Sequence, residues 1–400
     1  MVTKQKVFMI VSIAVLITFS LTAQSIGQSK KPIKIGMLLP LSGVVAQSGV
    51  EMREGIEMAA KEKGTILGRK IELIVEDTQV KPDVAVSKAE KLVYKDGCVA
   101  LIGIISSGVA LAVGQNIERL KVPLMLPVSM TTKLYGFHKW VFKTGQPLDD
   151  QTARANVYGI LNRPDLKNRT YYVLCNDFTW GHDASEFFIK LAKEKGIKIY
   201  NEKYDKAPMA TTDWASYITK VKASGADGVY ISLFTNVIPL FTKQAHDFGF
   251  LPKNKLVSAA APGPVELEAG GESCHGIVTS TSWSWDINTA SSDNWEKRYW
   301  EIFKPRIPSH QAVYAYVGAM LLFNGIEKAR STDVEKVANA LKGISLDGPY
   351  GIVRISPKDN CSRQDAILIE TTKAPSNPFG AKVIQKVLRH FRAEELGPPE

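Results

Sequence analysis

The segment KIGMLLPLSG, residues 34–43, decides the fold. Its apolar run ends in Pro-Leu-Ser-Gly, and an amphipathic segment opens shortly after it at Ser48-Gly49. A buried strand that leads through a short polar loop into a helix is typical of an α/β lobe, which offers a ligand backbone groups at the carboxyl ends of its strands. The segment therefore predicts the first strand and helix of such a lobe, in a chain that captures a solute rather than transforms it.

The first 27 residues are predicted to be an export signal. Two lysines precede an almost unbroken apolar run over residues 7–19, and small residues follow at 22–25, which is the pattern of a cleavable signal peptide. The run is short for a bilayer span, and an uncleaved anchor is the alternative. No cysteine precedes Cys98, so the export segment offers no thiol for a lipid anchor. We expect a mature periplasmic protein from which residues 1–27 have been removed.

The composition indicates a globular protein with a substantial core, because 45% of the residues are hydrophobic and 22% are charged. Without the signal, the chain has room for two domains of roughly 100–200 residues each. The formal net charge is +10, but Lys and Arg are scattered among acids rather than clustered in the stripe that binds nucleic acid. We expect no nucleic-acid partner, and the charge is compatible with an anionic ligand.

The sequence carries no signature of catalysis or metal binding. The four cysteines, at 98, 175, 274 and 361, form no C-x-x-C pair, which argues against a thiolate metal site. Three disulfide pairings or none stay open, and we expect at most one bridge. No G-x-S-x-G, H-E-x-x-H, P-loop or G-x-G-x-x-G motif occurs. We expect no enzyme, metal or cofactor, although a Ser–His–Asp set assembled in space stays the alternative.

Apolar strands and helical patterns alternate twice along the chain, first over residues 33–126 and again beyond Pro147. This alternation predicts parallel sheets covered by helices on both faces. The predicted architecture is two doubly wound α/β lobes joined by a three-stranded hinge. Lobe 1 comprises residues 31–147 and 282–354, lobe 2 comprises 148–281 and 355–385, and 386–400 form a C-terminal tail. The elements after residue 276 are too few for a sheet of their own, so we expect them to complete the two lobes. Several crossings between lobes suit closure of a cleft on a ligand.

Polar segments follow predicted strands of lobe 1. Ser106 and Ser107 stand between a strand and a helix, where hydroxyls and the first free N–H groups can bind a carboxylate. Simple N-capping by Ser107 is the alternative. The remaining candidates in this lobe are Gln47 in the loop after the first strand and Val128, Ser129, Met130 and Thr131 after the fourth. Ordinary loop and capping roles are the alternatives for these residues.

Lobe 2 contributes apolar candidates. Trp180 follows a strand within NDFTWG, residues 176–181, and its face can form a wall for a flat or apolar ligand. The alternative is a half-buried tryptophan that only packs against its neighbours. Phe234 and Ala261 follow two later strands and are expected to face the same cleft.

These segments together resemble the type I periplasmic solute-binding proteins of ABC importers, specifically the branched-chain amino-acid (Leu/Ile/Val) receptor family. The resemblance covers about residues 33 to 369 and rests on the order of KIGMLLPLSG, GRKIELIVEDTQVKPDVAVSKAEKLV, ALIGIISSGVALAV, VPLMLPVS, NDFTWGHDAS and GPYGIVRIS. It implies two lobes with three crossovers, ligand between them, no catalysis and a permease partner in the inner membrane. A monomer is the default for a protein that docks to a permease. By position it implies that Ser106 and Ser107 hold a ligand carboxylate, that residues 128–131 assist, and that Trp180 packs on the ligand.

Two departures from the family pattern bear on the ligand. Where amino-acid receptors carry a carboxylate for the α-ammonium, this chain reads SAAAP, residues 258–262, and Glu266 and Glu268 are out of register. A buried ammonium without a partner is strongly destabilising. Met130 stands where a small hydroxyl residue is common. We expect a carboxylate without an α-amino group, such as an aromatic, hydroxy or keto acid, with an amino acid as the alternative. A ligand-sensing receptor subunit for a signalling partner is the alternative function.

Overall fold

The computed structural model describes residues 31–377 and 379–396. The predicted signal peptide, residues 1–27, and the end of the predicted tail, residues 397–400, lie outside the described residues. Among the described helices, none combines the length and the apolar character that a membrane crossing requires.

The elements alternate as the sequence predicts over most of the chain. The strands are β1 Ile33–Leu39, β2 Thr65–Ile66, β3 Arg69–Asp77, β4 Ala100–Gly103, β5 Leu124–Leu126, β6 Val141–Lys143, β7 Thr170–Asn176, β8 Lys198–Ile199, β9 Asp205–Ala207, β10 Gly228–Ser232, β11 Lys255–Ser258, β12 Ile277–Thr281, β13 Ser345–Gly348, β14 Gly351–Ile355, β15 Ser362–Arg363, β16 Ala366–Lys373 and β17 Val383–Phe391. The helices are α1 Ala46–Lys63, α2 Pro82–Glu90, α3 Ser107–Gln115, α4 Ile117–Leu120, α5 Asp149–Leu161, α6 Pro164–Lys167, α7 Thr179–Glu194, α8 Ala215–Ala223, α9 Ile238–Asp247, α10 Pro264–Gly270, α11 Ala290–Phe303, α12 His310–Ala329, α13 Val334–Leu341 and α14 Ala393–Leu396.

Lobe 1 is built on a six-stranded sheet in the order β2-β3-β1-β4-β5-β6. β1 lies between β3 and β4 and pairs with both in parallel, so it is buried on both edges. This explains why its sequence is apolar without alternation. Helices α1 and α12 cover the sheet and pack closely, because a Cβ on Gly55 would lie 2.0 Å from the carbonyl oxygen of Ala312. The carboxyl ends of β1, β4 and β5 all point to the same edge, where the candidate loops begin.

Lobe 2 is built on an eight-stranded sheet with the main order β17-β16-β12-β11-β10-β7-β8, and β9 pairs with β7. β7, β10, β11 and β12 are parallel, whereas β16 and β17 join the edge antiparallel. Loops that follow β7, β10 and β11 therefore emerge at one edge of this sheet. The two edges with candidate loops face each other across the boundary between the lobes.

The late elements differ from the sequence prediction in three ways. β13, β14 and β15 form a small antiparallel sheet of their own, rather than completing the lobes. This sheet touches lobe 1 through a bridge between Cys361 and Lys143, so residues 355–363, expected in lobe 2, lie against lobe 1. β17 continues to Phe391, so residues 386–391 are an edge strand and not a tail.

Three segments link the lobes, near residues 144–148, 282–284 and 364–365. The first is stiffened by Lys143, which is buried and donates to the carbonyl oxygens of Thr144 and Gln146. Burial lowers the pKa of Lys143 to about 7. All four cysteines are buried with free thiols, so none of the pairings left open by the sequence forms.

Candidate functional site

A cavity lies between the lobes where the strand ends of both sheets meet. It encloses about 450 Å³ of empty space. Lobe 1 and the first crossing contribute Val45, Ile105, Ser106, Val128, Met130, Gln146 and Gln311, and lobe 2 contributes Phe178, Trp180, Leu233, Phe234, Thr235 and Ala260. A mostly apolar lining with few polar groups is typical of small-molecule sites.

The polar end of the cavity is built by two helix N-termini. Ser106 is the N-cap residue of α3, and its side chain makes no capping hydrogen bond, which leaves the hydroxyl available to a ligand. The start of α7 approaches from lobe 2, since a Cβ on Gly108 would lie 3.4 Å from Oγ1 of Thr179. The first N–H groups of a helix lack intrahelical partners and carry partial positive charge. Two such ends favour an anionic group, such as a carboxylate, without any cationic side chain.

The backbone before Ser106 is strained and held in place. Ile104 has a φ of 62°, a left-handed conformation that is unfavourable for a β-branched residue. Its N–H donates to the carbonyl of Leu38 at 2.7 Å, and its carbonyl accepts from Oγ of Ser129 at 2.8 Å. Such strain persists only where the surroundings fix the chain. These two contacts direct the chain into the start of α3.

The opposite wall is aromatic and comes from lobe 2. Phe178 and Phe234 stack with ring centroids 4.1 Å apart, and Trp180 lies 5.6 Å from Phe178 and 6.5 Å from Phe234. Trp180 is 6% exposed and Phe234 is 7% exposed. The three rings form a continuous apolar surface that suits the flat face of an aromatic ligand.

No side chain of Asp, Glu, Lys or Arg lines this cavity in the part of the chain that the structure describes. Asp149, in the first turn of α5, is a buried acid beside Trp180. Burial raises its pKa well above the ordinary value, the Asp183 carboxylate adds to the rise, and the Trp180 indole opposes it. Both oxygens of Asp149 lack hydrogen-bond partners among the described residues. The site is therefore neutral apart from its helix ends.

The matches to known proteins agree with this geometry. A family model described as "Periplasmic binding protein" matches residues 32–375. The chain belongs to the periplasmic binding protein family. Leu/Ile/Val-binding protein homolog 6 of Brucella suis is 26% identical over 385 residues, which cover 94% of this chain and 96% of that protein. The type I fold and the Leu/Ile/Val-receptor resemblance predicted from the sequence are confirmed.

Two solved structures share the fold of this periplasmic binding protein. A solute-binding protein of an ABC transporter from Rhodopseudomonas palustris, in complex with 3,4-dihydroxybenzoic acid, has a TM-score of 0.82 and 22% identity and covers 90% of this chain and 98% of its own. A leucine-binding protein from Thermotoga maritima has a TM-score of 0.79 and 23% identity and covers 91% and 100%. At these sequence identities the structural similarity establishes the fold but does not identify the ligand, which has to be inferred from the residues of the site.

The structure brings five of the ten predicted site residues of this periplasmic binding protein into the cavity. They are Ser106, Val128, Met130, Trp180 and Phe234. The capping alternative for Ser107 is wrong in position, because Ser106 is the N-cap residue and Ser107 is the first residue of α3.

The other five predicted residues do not line the cavity, because each has a different partner or position. The hydroxyl of Ser107 accepts from the backbone N–H of Thr131, and Ser129 supports Ile104 as described above. Thr131 donates to Asp183 in α7 at 2.7 Å and so links the lobes. Ala261 is replaced at the cavity surface by its neighbour Ala260.

Gln47 belongs to a separate cavity of about 650 Å³ at the rim between the lobes. Its Nε2 donates to the carboxylate of Glu51 at 3.0 Å. Gln47, predicted in the loop after the first strand, lies in the first turn of α1, and the residue of this segment that reaches the ligand cavity is Val45, which precedes the helix. Val45 packs into the lobe 2 core cluster, so apolar contact between the lobes positions this segment.

Sequence reasoning missed Ile105, Gln146, Leu233 and Gln311 as cavity residues. Ile105 and Leu233 stand at predicted strand ends, so the strand-end argument could have found them. Gln146 lies in the first crossing and Gln311 in the first turn of α12, and no local pattern distinguishes them from solvated glutamines. In residues 31–377 and 379–396, no group of three or more His, Cys, Asp or Glu residues is placed to hold a metal ion.

Proposed function

We propose that this periplasmic binding protein is the extracytoplasmic solute-binding component of an ABC importer. It captures a small carboxylate without an α-amino group, closes around it, and delivers it as a monomer to a permease in the inner membrane. The observation that carries this proposal is the charge pattern of the cavity. Two helix N-termini offer positive potential at one end, an aromatic wall forms one side, and the lining holds no anionic side chain.

An α-amino acid fits this cavity poorly. Its ammonium group would be buried without a carboxylate partner, which is costly for a charge in an apolar site. Neither of the two acids considered from the sequence lines the cavity. Glu268 accepts from the backbone N–H of Lys382 at 2.7 Å, and Glu266 lies outside the cavity lining, where it accepts from Thr235.

The two structural neighbours represent the two ligand classes at issue, since one was solved with 3,4-dihydroxybenzoic acid and the other is a leucine-binding protein. The flat aromatic wall and the neutral lining favour the first class. We therefore expect aromatic acids to bind better than branched-chain amino acids.

A matched ligand pair tests this proposal. Phenylalanine and 3-phenylpropanoate differ only in the α-amino group, and leucine and benzoate extend the comparison to each class. We expect 3-phenylpropanoate or benzoate to raise the melting temperature of the purified protein, because a ligand that binds only the folded state stabilises it by mass action. We expect no shift with leucine or phenylalanine. A shift with the amino acids and none with the deaminated acids would overturn the proposal.

A further inference from the structure

Two buried amide oxygens in the ligand cavity have no hydrogen-bond partner. Gln146 is 7% exposed and Gln311 is 4% exposed, and both side chains line the cavity. The Oε1 atoms of both lack any partner among the described residues. Buried polar atoms in folded proteins are nearly always paired, so each exception asks for an explanation.

The orientation of Gln146 follows from its neighbour. Its Nε2 lies 3.1 Å from the sulfur of Met130. A thioether sulfur accepts hydrogen bonds and cannot donate them, so the amide nitrogen is the atom that faces Met130 and the oxygen is left free. Gln311 is placed by the start of α12, where the N-cap Ser309 accepts from the N–H of Ala312 at 3.2 Å. The helix fixes the backbone of Gln311 beside the cavity.

We infer that the ligand carries a hydroxyl group in addition to its carboxylate, and that the amide oxygen of Gln146 or of Gln311 is the acceptor that selects it. This inference rests on the proposed function, because it assigns a further group to the same ligand. Amide oxygens accept hydrogen bonds and carry no charge, so a neutral hydroxyl suits them and needs no ionised partner. The other features of the cavity accommodate the remaining parts of a hydroxylated aromatic acid: helix ends for the carboxylate and three rings for the aromatic face.

The discrimination follows from the hydrogen bond that only a hydroxylated ligand can donate. A site built to hydrogen-bond a ligand hydroxyl binds the analogue without it less tightly, since the buried acceptor then gains no partner. A methoxy group at the same position keeps the oxygen but carries a methyl group in place of the hydrogen, so it cannot donate a hydrogen bond. A gain in affinity from added contact area alone would therefore also appear with the methoxy compound.

The test is a calorimetric titration of the purified protein with benzoate, 3-hydroxybenzoate, 4-hydroxybenzoate and 4-methoxybenzoate. We expect the tighter hydroxybenzoate to bind at least about 10-fold more tightly than benzoate, equivalent to about 1.4 kcal/mol, and the methoxy compound to show no such gain. Gln146→Leu or Gln311→Leu, whichever removes the acceptor, should lose most of this ratio, and retention of the ratio in both variants would overturn the inference. Gln115→Leu, at an exposed position near the end of α3, is the matched control and should change neither affinity.

Two further outcomes would overturn the inference in distinguishable ways. Equal binding of benzoate and both hydroxybenzoates to the wild-type protein would remove the inference and leave the proposed function intact. Binding of none of these acids, with a thermal shift from leucine instead, would remove both. The ligand series on the wild-type protein tests the inferred selection for a hydroxyl group even if a variant fails to fold. Melting curves of the variants show whether each variant is folded.

Discussion

Trp180 is the residue on which the aromatic wall depends. It contacts both phenylalanine rings of the wall and packs in the same core cluster as Met130 of lobe 1. Its indole therefore covers the cavity from the side of lobe 2. An aromatic face supplies a large contact area to a ligand at a low cost in conformational entropy.

We expect Trp180→Ala to weaken benzoate binding by at least about 10-fold, because the ligand loses its largest apolar contact. Trp180→Phe keeps an aromatic face and should lose less than about 3-fold. Titration calorimetry measures both affinities, and circular dichroism melting reports whether the fold is retained. Unchanged affinity in a folded Trp180→Ala protein would show that the ligand does not lie against this wall.

Hydroxyl residues after strands illustrate what the sequence could not distinguish. Ser106, Ser129 and Thr131 all follow strands of lobe 1, and a local pattern treats them alike. In the structure Ser106 borders the cavity, Ser129 holds the carbonyl of Ile104, and Thr131 donates to Asp183 across the lobes. The difference arises from three-dimensional contacts that form only when the strands and lobes are assembled.

At the scale of elements, the sequence predicted the parts of the fold with continuous apolar runs. β10 is buried throughout and β1 is buried at every position except Lys34, so their composition identifies them. The misassigned segment carries a weaker signal. β17, whose end was predicted to be part of a C-terminal tail, lies at a sheet edge with several exposed residues. The composition of a half-exposed strand resembles that of a loop or tail. Whether such a segment forms a strand depends on pairing partners that are distant in sequence.

The sequence predicted those parts of the cavity that are formed by loops after the ends of strands. The loops after β1, β4, β5, β7, β10 and β11 were all identified from the sequence because parallel strands end at one edge of a sheet. Gln146 and Gln311 come instead from a crossing and from the start of α12. They reach the cavity only because the three crossings set the angle between the lobes, which no local pattern specifies.

At the scale of the whole molecule, a buried acid pair lies at the junction of the two lobes. Glu51 is in α1 of lobe 1 and Glu266 is in α10 of lobe 2, and each is at most 5% exposed. A Cβ placed on Gly263 would lie 2.7 Å from Oε2 of Glu266 and 3.8 Å from Oε2 of Glu51. Burial raises the pKa of Glu51 to about 8, and the Glu266 carboxylate adds to the rise. Burial also raises the pKa of Glu266.

This pair predicts that ligand binding weakens as the pH rises. Opening the lobes exposes the two carboxyl groups and returns their pKa values toward the ordinary value near 4.3, so the closed state binds a proton more tightly. The resulting stabilisation of the closed state is complete at low pH and is lost as the pH rises toward the closed-state pKa of about 8. We expect the Kd for benzoate, which stays ionised throughout, to increase between about pH 6 and pH 8 and to level off above, because both carboxyl groups are then ionised in the open and the closed state.

Glu51→Gln is the variant that assigns this pH dependence. The amide removes one ionisable group of the pair, so the variant should bind benzoate with a Kd that changes less over the same range, and the part that depends on buried Glu266 should remain. Arg306 pairs with Glu54 at 3.0 Å beside the site and remains in both proteins. A full pH dependence in Glu51→Gln would assign the titration to another group, such as Lys143 in the first crossing, and contradict the role of the acid pair.

The central claim is that the lobes hold a carboxylate between the start of α3 and the aromatic wall. The most direct measurement is a crystal structure of the protein grown with 4-hydroxybenzoate. The account predicts carboxylate oxygens at hydrogen-bond distances of about 2.7–3.2 Å from Ser106 or the first N–H groups of α3, and the ring against Trp180. A ligand bound in the rim cavity beside Gln47, or one with its carboxylate directed away from α3, would contradict it.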